Sequence, residues 1–312
     1  MLDVCYSPHY FAHTHTNSME KLKLVADALH TWGNIQFHEP EILDIEILKQ
    51  LHEPSYVDAF YTGLPEKKAT FSGFKQWNQQ LRDAVLRINA GQLLAAKLAW
   101  QKGIAANIAQ GFHHAQYEYG GGYCTFNGLA LIAQQFPEKK IFVLDCDQHG
   151  GDGTAEFSLR LENLFNFSIY GLAHGCPVYP RSFTRHIHKD HGCFSQYTLA
   201  VHEGFQQAQA WGADLIIYQA GMDCHQADQF GSSWFTAELI QKREETVFKL
   251  AKRTGIPIMF VLAGGYQKLE NLVPLHLYTF KAAIDAYAAR KSPRLKAKQP
   301  NEGHSAVCKK KQ

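Results

Sequence analysis

The sequence predicts a three-layer α/β/α sandwich with a mostly parallel central sheet, and three observations carry that expectation. Short apolar runs of strand length alternate with longer stretches at helical spacing, the polar motifs fall just after those runs, and no internal repeat or low-complexity segment interrupts residues 1 to 288. Apolar strands separated by helices imply parallel pairing, because each parallel return needs a crossover that covers a face of the sheet. In open sheets of this kind ligands gather beyond the carboxyl ends of the strands.

A chain of 312 residues, 46% hydrophobic and 19% charged, is long enough to bury one large core, and one domain over residues 1 to 288 is expected. Met1 to Tyr10 lacks a basic region followed by an apolar stretch, and no run approaches the roughly 20 apolar residues that span a bilayer. Seven cysteines form an odd set without a C-x-x-C pair, which argues against a disulfide framework or a zinc ribbon. A soluble, cytoplasmic protein is the expectation, with a nuclear site or delivery into a host cell left open. Net charge is +2, unevenly placed: residues 289–312 hold eight Lys and Arg against Glu302 alone, a balance of +7 that leaves −5 on the body. With Pro293, Pro300 and few apolar residues, this tail reads as a solvated, disordered end, and contact with nucleic acid or chromatin is the alternative.

Taken in order, the strand candidates are Ile104 to Ala109, Ile141 to Leu144, Phe167 to Tyr170, Leu215 to Gln219 and Ile256 to Leu262. Between them Leu81, Ala84, Val85, Ile88, Ala95 and Leu98 recur at helical spacing, and Thr236 is placed to cap a helix with Glu238 in its first turn. After the first run comes G-F-H-H-A, which puts His113 and His114 side by side in a loop behind Gly111. The second runs into D-C-D-Q-H-G-G-D-G-T. If the chain stays extended there, Asp145, Asp147 and His149 project to one side with period two. Two carboxylates and an imidazole in one place repel or desolvate one another unless a cation compensates them. A carboxylate-rich turn that merely caps the next helix is the plainer reading, but capping uses one carboxylate and this segment supplies three, Asp152 included.

The run Leu215 to Gln219 leads into A-G-M-D-C-H, so Asp223 also sits at a strand exit. Asp147, His149 and Asp223 would give three protein ligands with room for water, as a catalytic zinc requires. So oxygen-rich a site also suits Fe(II) or Mn(II). The last run leads into A-G-G-Y-Q-K, with Tyr266 at the tip of a glycine loop.

These four pieces in this order resemble the histone deacetylase family over roughly residues 5 to 285, and the fold implied is the arginase/deacetylase one. The resemblance implies that Asp147, His149 and Asp223 bind zinc, that His113 and His114 are the tandem catalytic histidines oriented by Asp145 and Asp152, and that Tyr266 polarises the acyl carbonyl. Hydrolysis by water activated at the metal is implied, with His114 as general base and His113 tuning electrostatics. It further implies a structural monovalent cation, usually potassium, at Asp145, Asp147, His149, Ser168 and Ile169, and a narrow tunnel for an acylated lysine walled by Gly122, Tyr123 and Tyr179. About four methylenes buried there would contribute roughly 0.8 kcal/mol each.

Gln148 and Gly150 depart from many relatives, which have an aliphatic residue and a second histidine beside His149. The Y-S-P start, G-G-G-Y-C and G-G-Y-Q-K look closer to class IV and its bacterial relatives, a branch in which acyl length varies. The expected substrate is an acylated lysine of a protein. An acetylpolyamine is the alternative substrate, and an arginase-like ureohydrolase or an inactive acyl-lysine binder are alternatives to the activity itself.

Overall fold

The computed structural model describes residues 1–16, 18–172 and 175–288. The basic segment 289–312, with the nucleic-acid contact expected of it, lies outside the described residues.

Eight strands form one sheet: β1 (Leu2–Cys5), β2 (Ile35–His38), β3 (Ile104–Gln110), β4 (Ile141–Asp145), β5 (Leu164–Tyr170), β6 (Ser182–His186), β7 (Leu215–Ala220) and β8 (Ile258–Leu262). Every pairing is parallel, in the order β2-β1-β3-β8-β7-β4-β5-β6. All carboxyl ends therefore open on one edge of the sheet. The four central strands are β3, β8, β7 and β4, and each is followed by one of the polar motifs.

Ten helices connect them among the described residues: α1 (Glu20–His30), α2 (Ile45–Lys49), α3 (Pro54–Thr62), α4 (Glu66–Ala69), α5 (Gln79–Lys102), α6 (Gly128–Gln135), α7 (Asp152–Arg160), α8 (Phe194–Trp211), α9 (Ala237–Thr254) and α10 (Leu269–Tyr287). α5, α6 and α7 pack side by side over β3, β4 and β5; α1, α10, α9 and α8 form the second layer. The expected caps are present: the Asn78 side chain accepts from Leu81 N at the start of α5, and Thr236 accepts from Leu239 N at the start of α9. The apolar stripe read off α5 is buried throughout.

Three strands went unread in the sequence. β2 and β6 lie on the sheet edges and are only partly buried, with polar residues interleaved, and β1 is four residues long and contains Asp3. The five strands that were read are the apolar ones, which both helical layers cover. No described helix is long and apolar enough to cross a membrane.

Candidate active site

β4 ends at Asp145, and the expectation that the chain stays extended to His149 does not hold. The Asp145 carboxylate accepts from Asp147 N at 3.1 Å and its other oxygen lies 2.7 Å from His113 Nδ1. Asp147 and His149 are instead joined by Asp223 from the end of β7, and one ligand atom of each lies within 4.8 Å of the others. Their lone pairs are aimed by the backbone. Asp147 accepts from Gly264 N at 2.6 Å and from His149 N at 3.0 Å, and Asp223 accepts from Gln148 N at 3.0 Å. Gly264 has no substitute, because a Cβ there would sit 2.7 Å from Asp147 Oδ2.

The donor set of this trio fits a cation, and without one its members compensate each other. His149 Nδ1 lies 2.8 Å from Asp223 Oδ2 and 3.2 Å from Asp147 Oδ1. Burial works against charge on His149, but the two carboxylates outweigh it and raise its pKa to about 11. Burial and the neighbouring Asp147 push Asp223 up to about 7, whereas His113 and His149 overcome burial to hold Asp147 well below the usual carboxylate range. Two buried carboxylates and an imidazole whose ligand atoms lie within 4.8 Å of one another offer a cation mixed oxygen and nitrogen donors. Among the described residues it is the one such group, whereas a two-metal cluster needs more ligands.

At the end of β3, Phe112 adopts φ 62°, an unusual value for a residue with a side chain, and turns the chain toward the two histidines. His113 is buried with its Nε2 3.9 Å from Asp147 Oδ1. Burial opposes its charge, yet Asp145, Asp147 and Asp152 hold it up at about 9. The His114 ring lies 4.0 Å from it, and its Nδ1 is 2.6 Å from Asp152 Oδ1. Burial and the neighbouring charged His113 lower the His114 pKa, against the pull of Asp152. The surroundings favour charge on His113 and the neutral form of His114, and each imidazole is oriented by its own carboxylate. Asp152 opens α7, but the N-cap is Gly151 and no side chain caps the helix; the Asp152 carboxylate meets His114 through one oxygen and accepts from Gln116 Nε2 at 3.3 Å through the other.

Tyr266 follows β8. Burial, then Asp147 and Asp223, raise its phenol well above the ordinary value, so it remains a proton donor. Several residues that build this site escaped the sequence reading. Asp228 accepts from Tyr266 N at 2.7 Å through one oxygen, and from Phe230 N and Gly231 N at 2.9 and 3.0 Å through the other. Arg243, buried in α9, donates to Gly221 O at 2.7 Å and Cys146 O at 3.3 Å, fastening the loops that carry Asp223 and Asp147. Lys21 is buried, donates to Ala263 O and stands 5.9 Å from the Tyr266 ring centre. Burial lowers its pKa to about 8 although Asp147, Asp223 and Asp228 favour its charge. A signal existed for Lys21: it falls on the buried stripe of α1 with Val25 and Leu29, where a lysine is out of place.

These groups surround a cavity of about 440 Å³ lined by His114, Gly122, Tyr123, His149, Leu172, Phe230 and Tyr266. Gly122 and Tyr123 both have positive φ, 51° and 64°, and a Cβ on Gly122 would sit 2.7 Å from His114 Cδ2. Tyr179, expected as the facing wall, is elsewhere. It pairs with Ser182 in the turn into the edge strand β6 and packs on Ala155, Tyr170 and Cys176, so Leu172 and Phe230 line the cavity with Tyr123. Ser168 sits in register with Asp145 and accepts from Gly151 N at 3.2 Å, while Ile169 belongs to the apolar core.

A proton donor, a neutral base and a cation site around one apolar cavity can activate water against an amide carbonyl. Residues 15–282 match the family model for the histone deacetylase domain. An uncharacterised protein of Picosynechococcus sp. is 31% identical over 301 residues, covering 91% of this chain and 99% of that protein. Histone deacetylase 2 of Arabidopsis thaliana is 30% identical over 190 residues, 57% of this chain and 48% of the relative. Acetylpolyamine amidohydrolase 2 of Pseudomonas aeruginosa is 31% identical over 175 residues, 49% of this chain and 48% of the relative, so the matches span about half the length of these last two.

Proposed function

Because the chain belongs to the histone deacetylase family, we propose that this deacetylase-type hydrolase removes acyl groups from lysine side chains of proteins. The observation that carries the reading is that His114, Tyr266 and His149 line a single cavity, and that His149 clusters there with the buried Asp147 and Asp223. Asp147, His149 and Asp223 would hold Zn²⁺, with Fe²⁺ the alternative for so oxygen-rich a donor set. When bound, such an ion supplies Lewis acidity toward the acyl oxygen and makes water more acidic.

The remaining work falls to the chain. His114, neutral and oriented by Asp152, takes the proton of the attacking water and returns it to the departing amine. Tyr266 donates its phenolic hydrogen to the carbonyl oxygen as negative charge develops there. His113, held by Asp145, tunes the electrostatics of the site. Tyr123, Leu172 and Phe230 contact the aliphatic stem and exclude water, each buried methylene contributing roughly 0.8 kcal/mol. A structural K⁺ at Asp145, Asp147, His149, Ser168 and Ile169 is proposed from the family resemblance alone.

The test is turnover of an acetyl-lysine peptide, a long-chain acyl-lysine peptide and an N-acetylpolyamine, each with chelator and after Zn²⁺ is restored. Release of the carboxylic acid from a peptide, lost with chelator and recovered with Zn²⁺, is expected. Faster turnover of the polyamine would reassign the substrate. No turnover of any substrate by metal-replete protein would leave only an acyl-lysine binder.

A further inference from the structure

Beside the catalytic cavity lie two smaller ones, of about 330 and 300 Å³. The first is lined by His13, His15, Phe74 and Lys75 among others, and the second by His15, Tyr123, Phe230, Tyr266 and Lys268 among others. His15 is common to the two, and Tyr123, Phe230 and Tyr266 are common to the second and the catalytic cavity, so the second adjoins the catalytic cavity directly and the first adjoins the second at His15. No aspartate or glutamate stands among the described residues lining any of them. Lys75 and Lys268 are both exposed. Lys75 N donates to His15 Nδ1 at 3.4 Å, and the His15 ring meets the Tyr123 edge at 5.8 Å, which fixes this basic segment against the cavity wall.

We infer that this flank selects acyl-lysines whose neighbouring residues are acidic and rejects polyamines; the inference rests on the hydrolase reading above. A polyamine bound by its acylated end brings a second ammonium to the mouth a few methylenes away. Tyr123 and Phe230 alone would attract that ammonium through their ring faces. Lys268, in the cavity that shares Tyr123, Phe230 and Tyr266 with the catalytic one, acts against it, Lys75 adds to the repulsion from the next cavity, and no carboxylate among the described lining residues compensates them; salt screens the effect over a Debye length of about 8 Å. A peptide carrying Asp or Glu beside the acylated lysine meets the opposite situation. Each exposed ion pair contributes little, so two are expected to give a preference of about tenfold at low ionic strength, fading as salt is added.

Three substrates test it: a neutral capped acetyl-lysine amide, and two peptides identical except for Glu or Lys on either side of the acetyl-lysine. The readout is the ratio of kcat/KM for the two peptides on the same protein, in which any general loss of activity cancels. We expect the Glu peptide to be favoured about tenfold at low salt, with an N-acetylpolyamine poorer than the neutral amide, and the peptide ratio to invert in Lys75→Glu/Lys268→Glu. A ratio near one in the unaltered protein, a ratio unmoved by the double substitution, or a preference for the polyamine overturns the inference while turnover of the neutral amide leaves the hydrolase reading standing. Failure to turn over the neutral amide as well would remove both.

Discussion

The floor of the site is the buried cluster of Asp147, His149 and Asp223, which meets the cavity through His149 and stands within a few residues of the ends of the neighbouring strands β4 and β7. At its mouth, Tyr123, Leu172 and Phe230 come from three loops well separated in the chain, and Phe230 is 56% exposed. The floor is held from several directions: backbone N–H groups aim both carboxylates, and the buried Arg243 guanidinium fastens the two loops to each other. At the mouth, Asp228 reaches Phe230 through the backbone alone, and the side chain packs edge-on against Tyr266 at 5.0 Å. The floor is therefore built for fixed charge geometry and the mouth for apolar contact. Substitution should separate the two, chemistry failing at the floor and affinity at the mouth.

The largest effect is expected where a ligand is removed. Asp223→Ala leaves two of three donors, and we expect stoichiometric Zn²⁺ to be lost by elemental analysis, with turnover falling by at least about a thousandfold. Retention of metal with near-normal activity would mean that the floor is not a metal centre. Next come the groups that move protons. His114→Ala is expected to lower kcat by about 10²–10⁴ and Tyr266→Phe by about 10²–10³, both with metal content unchanged. The direction of the His114 shift also sets a pH dependence. A base with lowered pKa stays deprotonated further into acid, so the acidic limb of kcat/KM should lie below the ordinary imidazole value of 6.5. An acidic limb at or above that value would assign the base elsewhere.

The same contrast explains what could be read from the sequence. The floor was legible because its residues lie within a few positions of apolar strand ends, where short-range geometry dictates direction. Even there the reading of an extended Asp145 to His149 segment failed, since the chain bends once Asp145 turns to His113. The mouth was illegible beyond Gly122 and Tyr123. Tyr179 was expected as a wall from the family resemblance, but its pairing with Ser182 carries it to the sheet edge. Leu172 and Phe230 have no local signal at all, since only the packing of distant loops brings them to the cavity. Asp228 and Arg243 were missed for a related reason: their partners are backbone atoms of other loops, which side-chain patterns do not reveal. The edge strands β2 and β6 were missed because they are too exposed to show an unbroken apolar run.

Asp228 stands between the two regions and should show an intermediate effect. Its carboxylate accepts three backbone N–H groups, one from Tyr266 and two from the Phe230 loop, so Asp228→Asn places an amide hydrogen against at least one of them. We expect kcat to fall by about 10–100-fold, as for other residues that orient a reacting group, with KM changed less and metal retained. A substitution that moved KM alone would make Asp228 part of the mouth.

The smallest effect belongs to the mouth itself. Phe230 is exposed over half its surface and contributes area only where it lines the cavity, so Phe230→Ala removes part of one wall and leaves Asp147, His149, Asp223, His114 and Tyr266 with all their hydrogen bonds. Truncating a half-exposed ring costs on the order of 1 kcal/mol of substrate contact, about fivefold in KM for an acyl-lysine peptide, with kcat nearly constant. Because the lost contact is made equally by the substrate and the transition state, the change should appear in binding and not in the chemical step. The edge contact with Tyr266 is what could spoil the separation. If Phe230 also holds the phenol in place, kcat will fall as it does in Asp228→Asn, and the Phe230→Leu variant, which keeps apolar contact without a ring edge, will not restore it. A kcat unchanged in Phe230→Ala and a KM recovered in Phe230→Leu would instead show that the phenol is positioned from its backbone by Asp228, and that the wall serves the substrate alone.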